Sequence, residues 1–347
     1  MRVLVTGHRG YIGAVLVEVL RHARHDVVGL DCNLYGDCDF GRTREDVPSF
    51  ETDLREIEFA DLVSFDAVIH LAGLPEDPET LLPPEVTWAV NFGATVRLAE
   101  CCKQAGVGRF LFASTCAVYG GGGQRPQTEG SSPDPLTGYA RAKLACEAAL
   151  GPLADGSFTP VILRNGTVYG VSPRLRLDTV VNDFVGSAVT RGRVDMQTQG
   201  RAWRPLVHVE DVARVYTAML TARDEAVGRQ IFNVATTEEN YRVIDVADAV
   251  TELVPNCVRS VRAAQLDRRS YLVDGSKLRR TLPDFAWRWT LLQGIRQLRA
   301  ALAGAGLSAG DWRGEKYRRV LRIAGRMERA ELNGNCRVRS TPSAANI

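Results

Sequence analysis

The chain is short of several things, and each shortage closes off a class of function. It has no apolar run approaching the roughly 18–20 residues that a bilayer-spanning helix needs. Its formal charge is only +2, too small to mark nucleic acid or an anionic membrane surface as a partner. Its five histidines are scattered. The eight cysteines show no paired spacing: Cys101 and Cys102 are adjacent, and Cys32 and Cys38 have no histidines nearby. A structural zinc site wants two close ligand pairs, so no metal is expected and the thiols are expected to be reduced. No repeat at solenoid spacing occurs. The opening Met1-Arg2-Val3-Leu4-Val5-Thr6-Gly7 ends its apolar run in glycine, with no cleavage pattern behind it. It reads as a first strand rather than a secretion signal, and a cytoplasmic address is expected.

What is present is material for a large α/β core. The 347 residues, 45 % of them apolar, suffice for one large domain or two smaller ones. Strand-like runs fall at Val3–Thr6, Val27–Asp31, Ala67–His70, Arg109–Ala113 and Thr159–Leu163. Helical spacing falls between them at Tyr11–Arg21, Glu85–Gln104 and Tyr139–Leu150. This alternation predicts a parallel, doubly wound sheet over residues 1–170. Beyond Gly170 the pattern loosens. Helices are expected at Thr179–Arg191, Tyr241–Val254 and Trp289–Leu302, with a strand at Gln230–Ala235. Residues 171–330 therefore read as a smaller C-terminal lobe that returns one strand, near 229–236, to the main sheet. The polar stretch 331–347 is expected to be a disordered tail.

The first strand runs straight into Gly7-His8-Arg9-Gly10-Tyr11-Ile12-Gly13, which opens the first helix. Gly7 permits the tight turn, Gly10 leaves room for a pyrophosphate, and Gly13 allows close packing of helix and strand. The free N–H groups of the helix start, at Tyr11 and Ile12, would face the phosphates. Strand before and helix after is the context that makes this a dinucleotide site. Asp31 ends the second strand, where a carboxylate accepts from the adenosine ribose hydroxyls and repels a 2′-phosphate, so NAD is favoured over NADP. Arg42 and Arg44 follow in the loop and pull the other way. Asp53-Leu54 is a candidate for holding the adenine, although a turn or helix cap is as good a reading of Asp53.

Tyr139 and Lys143 stand four residues apart, on one face of a helix. A free phenol has a pKa near ~10. A neighbouring ammonium and a nicotinamide cation would favour the phenolate, as an acid/base requires. Upstream, Phe112–Gly120 is a strand running into a glycine-rich loop. Thr115 and Ser114 there are both placed to meet a substrate oxygen, or simply to cap the loop.

Taken together these motifs resemble the extended short-chain dehydrogenases/reductases, in the nucleotide-sugar epimerase/dehydratase branch. The resemblance covers roughly residues 1–300. Its marks are Gly7–Gly13, Asp31, His70-Leu71-Ala72-Gly73, Asn91, Thr115 with Val118-Tyr119-Gly120, Tyr139 with Lys143, and Arg204-Pro205-Leu206-Val207-His208-Val209-Glu210-Asp211. It implies a Rossmann-type sheet with a smaller C-terminal substrate-binding lobe, NAD as cofactor, a nucleotide-diphosphate sugar as substrate, and a homodimer. Leu71, Ala72 and Gly73 would line the cofactor, and Asn91 would steady the active-site helix. Thr115 would hold the sugar oxygen, Tyr139 would move the proton, and Lys143 would bind the nicotinamide ribose. Arg204 would bind the substrate diphosphate, with Asn182 and Arg269 as weaker candidates.

Two departures bear on activity. Thr167 stands where relatives often carry asparagine, three residues before the second Val-Tyr-Gly, so the substrate contact there is open. Sugar 4,6-dehydratases usually carry Asp-Glu directly after the catalytic threonine. Here the positions hold Cys116 and Ala117, which argues against elimination of water. The resemblance thus implies epimerisation at sugar C4 through a 4-keto intermediate. A 4-ketoreductase or dehydrogenase of deoxysugar synthesis is the alternative. A non-catalytic NAD sensor on the same fold fits less well, because it would not need Thr115, Tyr139 and Lys143 together.

Overall fold

The computed structural model describes residues 1–41, 46–75, 81–265 and 267–339. Arg42 and Arg44 lie outside the described residues. In the first strand, Val3, Leu4 and Val5 are buried on both faces of the sheet, the environment of a central parallel strand covered by helices on each side. Seven such strands form the main sheet: β1 (Arg2–Thr6), β2 (Asp26–Leu30), β3 (Ser49–Phe50), β4 (Ala67–His70), β5 (Arg109–Thr115), β6 (Thr159–Asn165) and β7 (Ile231–Val234). They lie in the order β7-β6-β5-β4-β1-β2-β3, all parallel. The order reverses between β1 and β4, and a ligand crevice opens beyond the carboxyl ends of strands at such a point. The expected doubly wound sheet and its returning strand are both present.

Helices cover each face. On one side the first helix (Tyr11–His22) and the helix Val209–Thr221 share a core containing Leu16, Leu20, Val212 and Tyr216. On the other, Leu98, Cys102, Cys146 and Phe158 pack on Phe110 and Val68. A separate core around Phe184, Met196, Val250, Leu298 and Trp312 builds the smaller lobe.

Several boundaries differ from expectation. The helix Val209–Thr221 belongs to the nucleotide-binding core, so residues 171–330 are not a lobe on their own. Its buried face (Val212, Val215, Tyr216 and Met219) needs an apolar partner, and the first helix supplies one. The expected helix Glu85–Gln104 carries a π-helical turn at Ala89–Gly93, a feature that often re-aims a side chain at a functional site. Here it holds Asn91. The helix expected from Tyr241 begins at Val243, because Asn240–Arg242 pairs as a strand with Trp203–His208. The stretch expected to be disordered is ordered as far as residue 339. Leu332 and Val338 bridge, and Leu332 and Cys336 are buried beside Leu34 and Leu74. Residues 340–347 lie outside the described residues.

One buried polar cluster fixes the active-site helix (Gly138–Leu150) on the sheet. The carboxylate of Glu147 accepts from Nε of Arg164 at 3.0 Å and from its Nη2 at 2.6 Å, and from the Ser114 hydroxyl. Nη1 of Arg164 donates to the Tyr119 hydroxyl at 2.9 Å, which in turn donates to Asn233 at 2.7 Å. Helix, β5, β6 and β7 are thereby joined. Glu147 is 6 % exposed and Arg164 2 %. Removing one member of such a pair strands a buried charge and costs about 3–5 kcal/mol. Glu147→Ala is therefore expected to lower the unfolding free energy by about that much. Urea titration checks it, and a change below about 1 kcal/mol would be typical of an exposed pair instead.

Candidate active site

The glycine loop after β1 is shaped by contacts that no side chain would tolerate. Gly7 has φ +72°, and a Cβ there would lie 2.8 Å from the Ala72 amide nitrogen. A Cβ on Gly13 would lie 2.2 Å from the Gly7 carbonyl oxygen. Gly10 precedes the first helix without any capping side chain, and the first turn has no acidic residue. The helix start is left open to an anion. The Tyr11 hydroxyl donates to the Gly170 carbonyl at 2.7 Å, which ties this helix start to the second lobe.

Asp31 stands just past β2. Its carboxylate accepts from the Arg9 amide at 3.1 Å and the Asn33 amide at 2.8 Å. The Arg9 guanidinium is neutralised by Asp46 at 2.7 Å and Glu51 at 2.6 Å. Among the described residues, three carboxylates (Asp31, Asp46 and Glu51) stand against the one arginine Arg9 at this corner, a balance poorly suited to a 2′-phosphate. Asp53 caps the short 3-10 turn Leu54–Glu56 and pairs with Arg55, while the Leu54 side chain is buried with Ile57 and Leu62. The cap is thus the geometry that Asp53 shows, and the Leu54 side chain belongs to the core.

Asn91 explains the π-helical turn. Its Oδ1 accepts from the Leu74 amide at 2.7 Å and its Nδ2 donates to the Leu74 carbonyl at 3.0 Å, pinning the loop after β4. Its own carbonyl accepts from the Cys146 thiol on the active-site helix at 3.1 Å. His70 lies between the Thr6 and Thr95 hydroxyls, at 2.6 and 2.8 Å. Burial, then Lys143, holds it well below its ordinary pKa, so it stays neutral.

Gly7, Gly10, Tyr11, Ile12, Gly13, Leu71, Gly73, Thr115, Tyr139, Lys143, Thr167, Arg204 and Arg269 all line one cleft of about 1140 Å³. Lys143 is 3 % exposed, and its Nζ donates to the Ala113 carbonyl at 2.8 Å. The same atom lies 5.9 Å from the centroid of the Tyr139 ring. Burial pushes the ammonium down to about 8, against the opposing pull of Cys146 and Glu147. Thr115 ends β5, and its Oγ1 accepts from the Ala117 amide at 3.1 Å. The Ser114 hydroxyl is directed to Glu147, so of this adjacent pair Thr115 is the one whose hydroxyl is left for the cleft.

In the same cleft, Arg204 pairs with Asp267 at 2.5 Å, and Arg269 pairs with the same carboxylate at 3.1 Å. Although burial pushes that carboxyl up, Arg204 and Arg269 hold it below the usual range. Asp267 was not legible as a site residue, but it joins the two arginines and leaves the trio with one net positive charge. Asn182 does not join them. It is fully buried, its Oδ1 accepts from the Gly170 amide, and its Nδ2 donates to the Tyr11 hydroxyl and the Arg176 carbonyl. No polar atom is left over for a diphosphate, so the expectation is corrected: Asn182 braces the wall behind the cleft.

The cradle of an open helix start, a side-chain-free Gly10 and a buried Lys143 fits a dinucleotide. The family model described as "NAD dependent epimerase/dehydratase family" matches residues 3–235. The chain belongs to this family. Its members are NAD-dependent enzymes of the extended short-chain dehydrogenase/reductase type. A UDP-glucose 4-epimerase of Streptomyces lividans is 28 % identical over 286 residues, covering 76 % of this chain and 84 % of that protein. Among solved structures, MoeE5 in complex with UDP-glucuronic acid and NAD is 30 % identical, with a TM-score of 0.76 over 88 % of this chain and all of that one. The UDP-glucose 4-epimerase of Thermus thermophilus, solved with NAD, is 28 % identical, with a TM-score of 0.74 and the same coverage. Among the described residues, no helix is long and apolar enough to cross a membrane, and no cluster of metal-ligating side chains is present.

If Asp31, just past β2, meets the adenosine ribose, the protein should bind NAD more tightly than NADP, and Asp31→Ala should narrow the gap. Calorimetric titration tests this, and equal affinities in the unaltered protein would refute it. In the nucleotide-free protein the Lys143 ammonium should titrate near 8, rather than near its ordinary 10.5. Because the folded pKa is the lower one, the cost of this charge to folding is full below about 8 and fades as pH rises towards 10.5. NMR titration of the labelled lysine Cε reads the midpoint directly, and one above 10 would contradict the buried environment.

Proposed function

We propose that the protein is a 4-epimerase of nucleotide-diphosphate sugars. The observation that carries this reading is one cleft lined by two sets of groups. An acid/base pair with a hydroxyl (Tyr139, Lys143, Thr115) and a net positive trio (Arg204, Asp267, Arg269) both line it, together with the open dinucleotide cradle. That combination suits a ligand whose sugar is held at the pair while its diphosphate is held by the trio.

Gly10–Gly13 and Lys143 would hold NAD, with Asp31 at the ribose of the adenosine. NAD supplies a reversible hydride acceptor at the sugar carbon when bound. Tyr139 takes the proton of the C4 hydroxyl and later gives it back, which carries the sugar through its 4-keto form. Lys143 favours the phenolate by its charge. Thr115 holds the sugar oxygen. Arg204, a planar fork, clamps the diphosphate, and this remote binding energy orients the sugar for reaction. Thr167 faces the same cleft and offers a hydroxyl where relatives carry an amide. The resemblance also carries the expectation of a homodimer, and the sequence that of a cytoplasmic address.

Elimination of water needs a second acid/base, and the two positions directly after Thr115, where sugar 4,6-dehydratases carry Asp-Glu, offer none. The Cys116 thiol is buried, donates to the Arg164 carbonyl at 3.1 Å, and is pushed far up in pKa by burial. Ala117 faces the cleft without a polar atom. A 4-ketoreductase would use the same Tyr139 and Lys143, and differs in consuming reduced nicotinamide.

Tyr139→Phe should keep the fold and NAD binding while turnover falls by at least ~10²-fold. Near-normal turnover in a folded variant would remove Tyr139 from the proton transfer. Arg204→Ala should raise KM strongly for the nucleotide sugar and leave NAD affinity unchanged. Assays over a panel of nucleotide sugars, with products separated by chromatography, supply the substrate for both measurements. An unchanged KM would make the arginine structural and undercut the nucleotide-sugar reading.

A further inference from the structure

The helix Arg319–Glu328 lies outside the span that the family model matches, yet its first turn reaches the cleft. Arg319, Val320 and Leu321 all line it. Further along, Ile323 is buried with Leu34, Leu74 and Leu82, so the helix is seated on the loops that follow β2 and β4. These are the loops beside the dinucleotide cradle.

Arg319 is 3 % exposed. Its Nη2 donates to the carbonyls of Arg174 and Leu175, and the guanidinium lies 4.4 Å over the Tyr35 ring. Its Nη1 is buried and has no hydrogen-bond partner. A buried cationic donor left unpaired is costly unless an acceptor completes it. Two carboxylates stand at the helix start: Asp178 accepts the Arg319 backbone amide at 3.0 Å and pairs with the Arg176 guanidinium, and Asp183 pairs with Arg318 at 2.5 Å. Three guanidiniums, of Arg176, Arg318 and Arg319, thus stand against two carboxylates here, and the positive end of a ten-residue helix adds to them. The charge of Arg319 also reaches the Tyr11 phenol, at the start of the first helix. Tyr35, Tyr11 and Gly10 border the same cleft.

We propose that Arg319 completes the cofactor site, its Nη1 donating to a pyrophosphate oxygen of NAD, so that the C-terminal helix straps the dinucleotide into the cleft. The inference rests on NAD as the cofactor and adds a binding residue from outside the matched family span. A tightly held cofactor suits a reaction that regenerates it at every turnover.

The test compares Arg319→Met, which keeps the apolar stem, with Arg319→Lys in protein freed of nucleotide. Calorimetry should show NAD bound at least about ten-fold more weakly by the Met variant, the loss expected for one charge-assisted bond. The Lys variant should fall between it and the unaltered protein. Affinity for adenosine, which lacks phosphate, and for UDP should be unchanged. Unchanged NAD affinity in a folded Met variant would overturn the proposal. So would a loss of UDP affinity with NAD binding intact, which would assign the anion to the substrate. Should the Met variant fail to fold, hydrogen exchange on the unaltered protein decides: NAD should slow the amides of Val320 and Leu321 and adenosine should not. Equal exchange with and without NAD would overturn the strap. Unaltered protein that binds no NAD would undo the cofactor reading itself, a different failure from NAD binding that ignores Arg319.

Discussion

Glu147 must meet Arg164, and much of the site follows from that meeting. The two side chains are buried together, and neither could be left there alone. Tyr139, Lys143 and Glu147 stand at successive steps of four along one helix, so they share a face. Once Glu147 is fixed against β6, Lys143 is brought to the Ala113 carbonyl of β5. Tyr139 is brought to the cleft one turn earlier. The same carboxylate draws in the Ser114 hydroxyl, while Thr115 lines the cleft. A buried ion pair is seldom a net gain in stability. Here it sets the register of the helix that bears Tyr139 and Lys143.

The cleft is lined by cations that are partly but not fully balanced. Lys143 is held down in pKa by burial. Arg204 and Arg269 share Asp267. Arg176 and Arg318 pair with Asp178 and Asp183, beside the buried guanidinium of Arg319. Partial neutralisation keeps the empty cleft tolerable while leaving positive charge for an anionic ligand. A dinucleotide and the proposed nucleotide-diphosphate sugar each carry a pyrophosphate, and the two arginine clusters are the places proposed for them.

What could be read from the sequence was what local chemistry encodes. The glycine loop is legible because each glycine answers a steric demand within its own turn, or against the loop it touches. The Tyr139–Lys143 pair is legible because four residues make one helical turn. Long-range packing was not legible. Arg319 is one arginine among many in a basic C-terminal stretch, and nothing local says that it enters the cleft beside Tyr35. Asp267 matters only because folding sets it between two arginines. Asn182 was misplaced because residue type does not say which way an amide points. Leu54 and the segment 331–339 show the same limit, since their burial comes from partners distant in the chain, such as Leu34 and Leu98.

Epimerisation in this cleft requires that hydride leave and return to one sugar carbon without escaping. A nucleotide sugar carrying deuterium at C4 tests that requirement most directly. The epimerised product should keep deuterium at C4, while absorbance at the reduced-nicotinamide band shows no stoichiometric change. Loss of the label to solvent, or stoichiometric oxidation or reduction of nicotinamide, would contradict it.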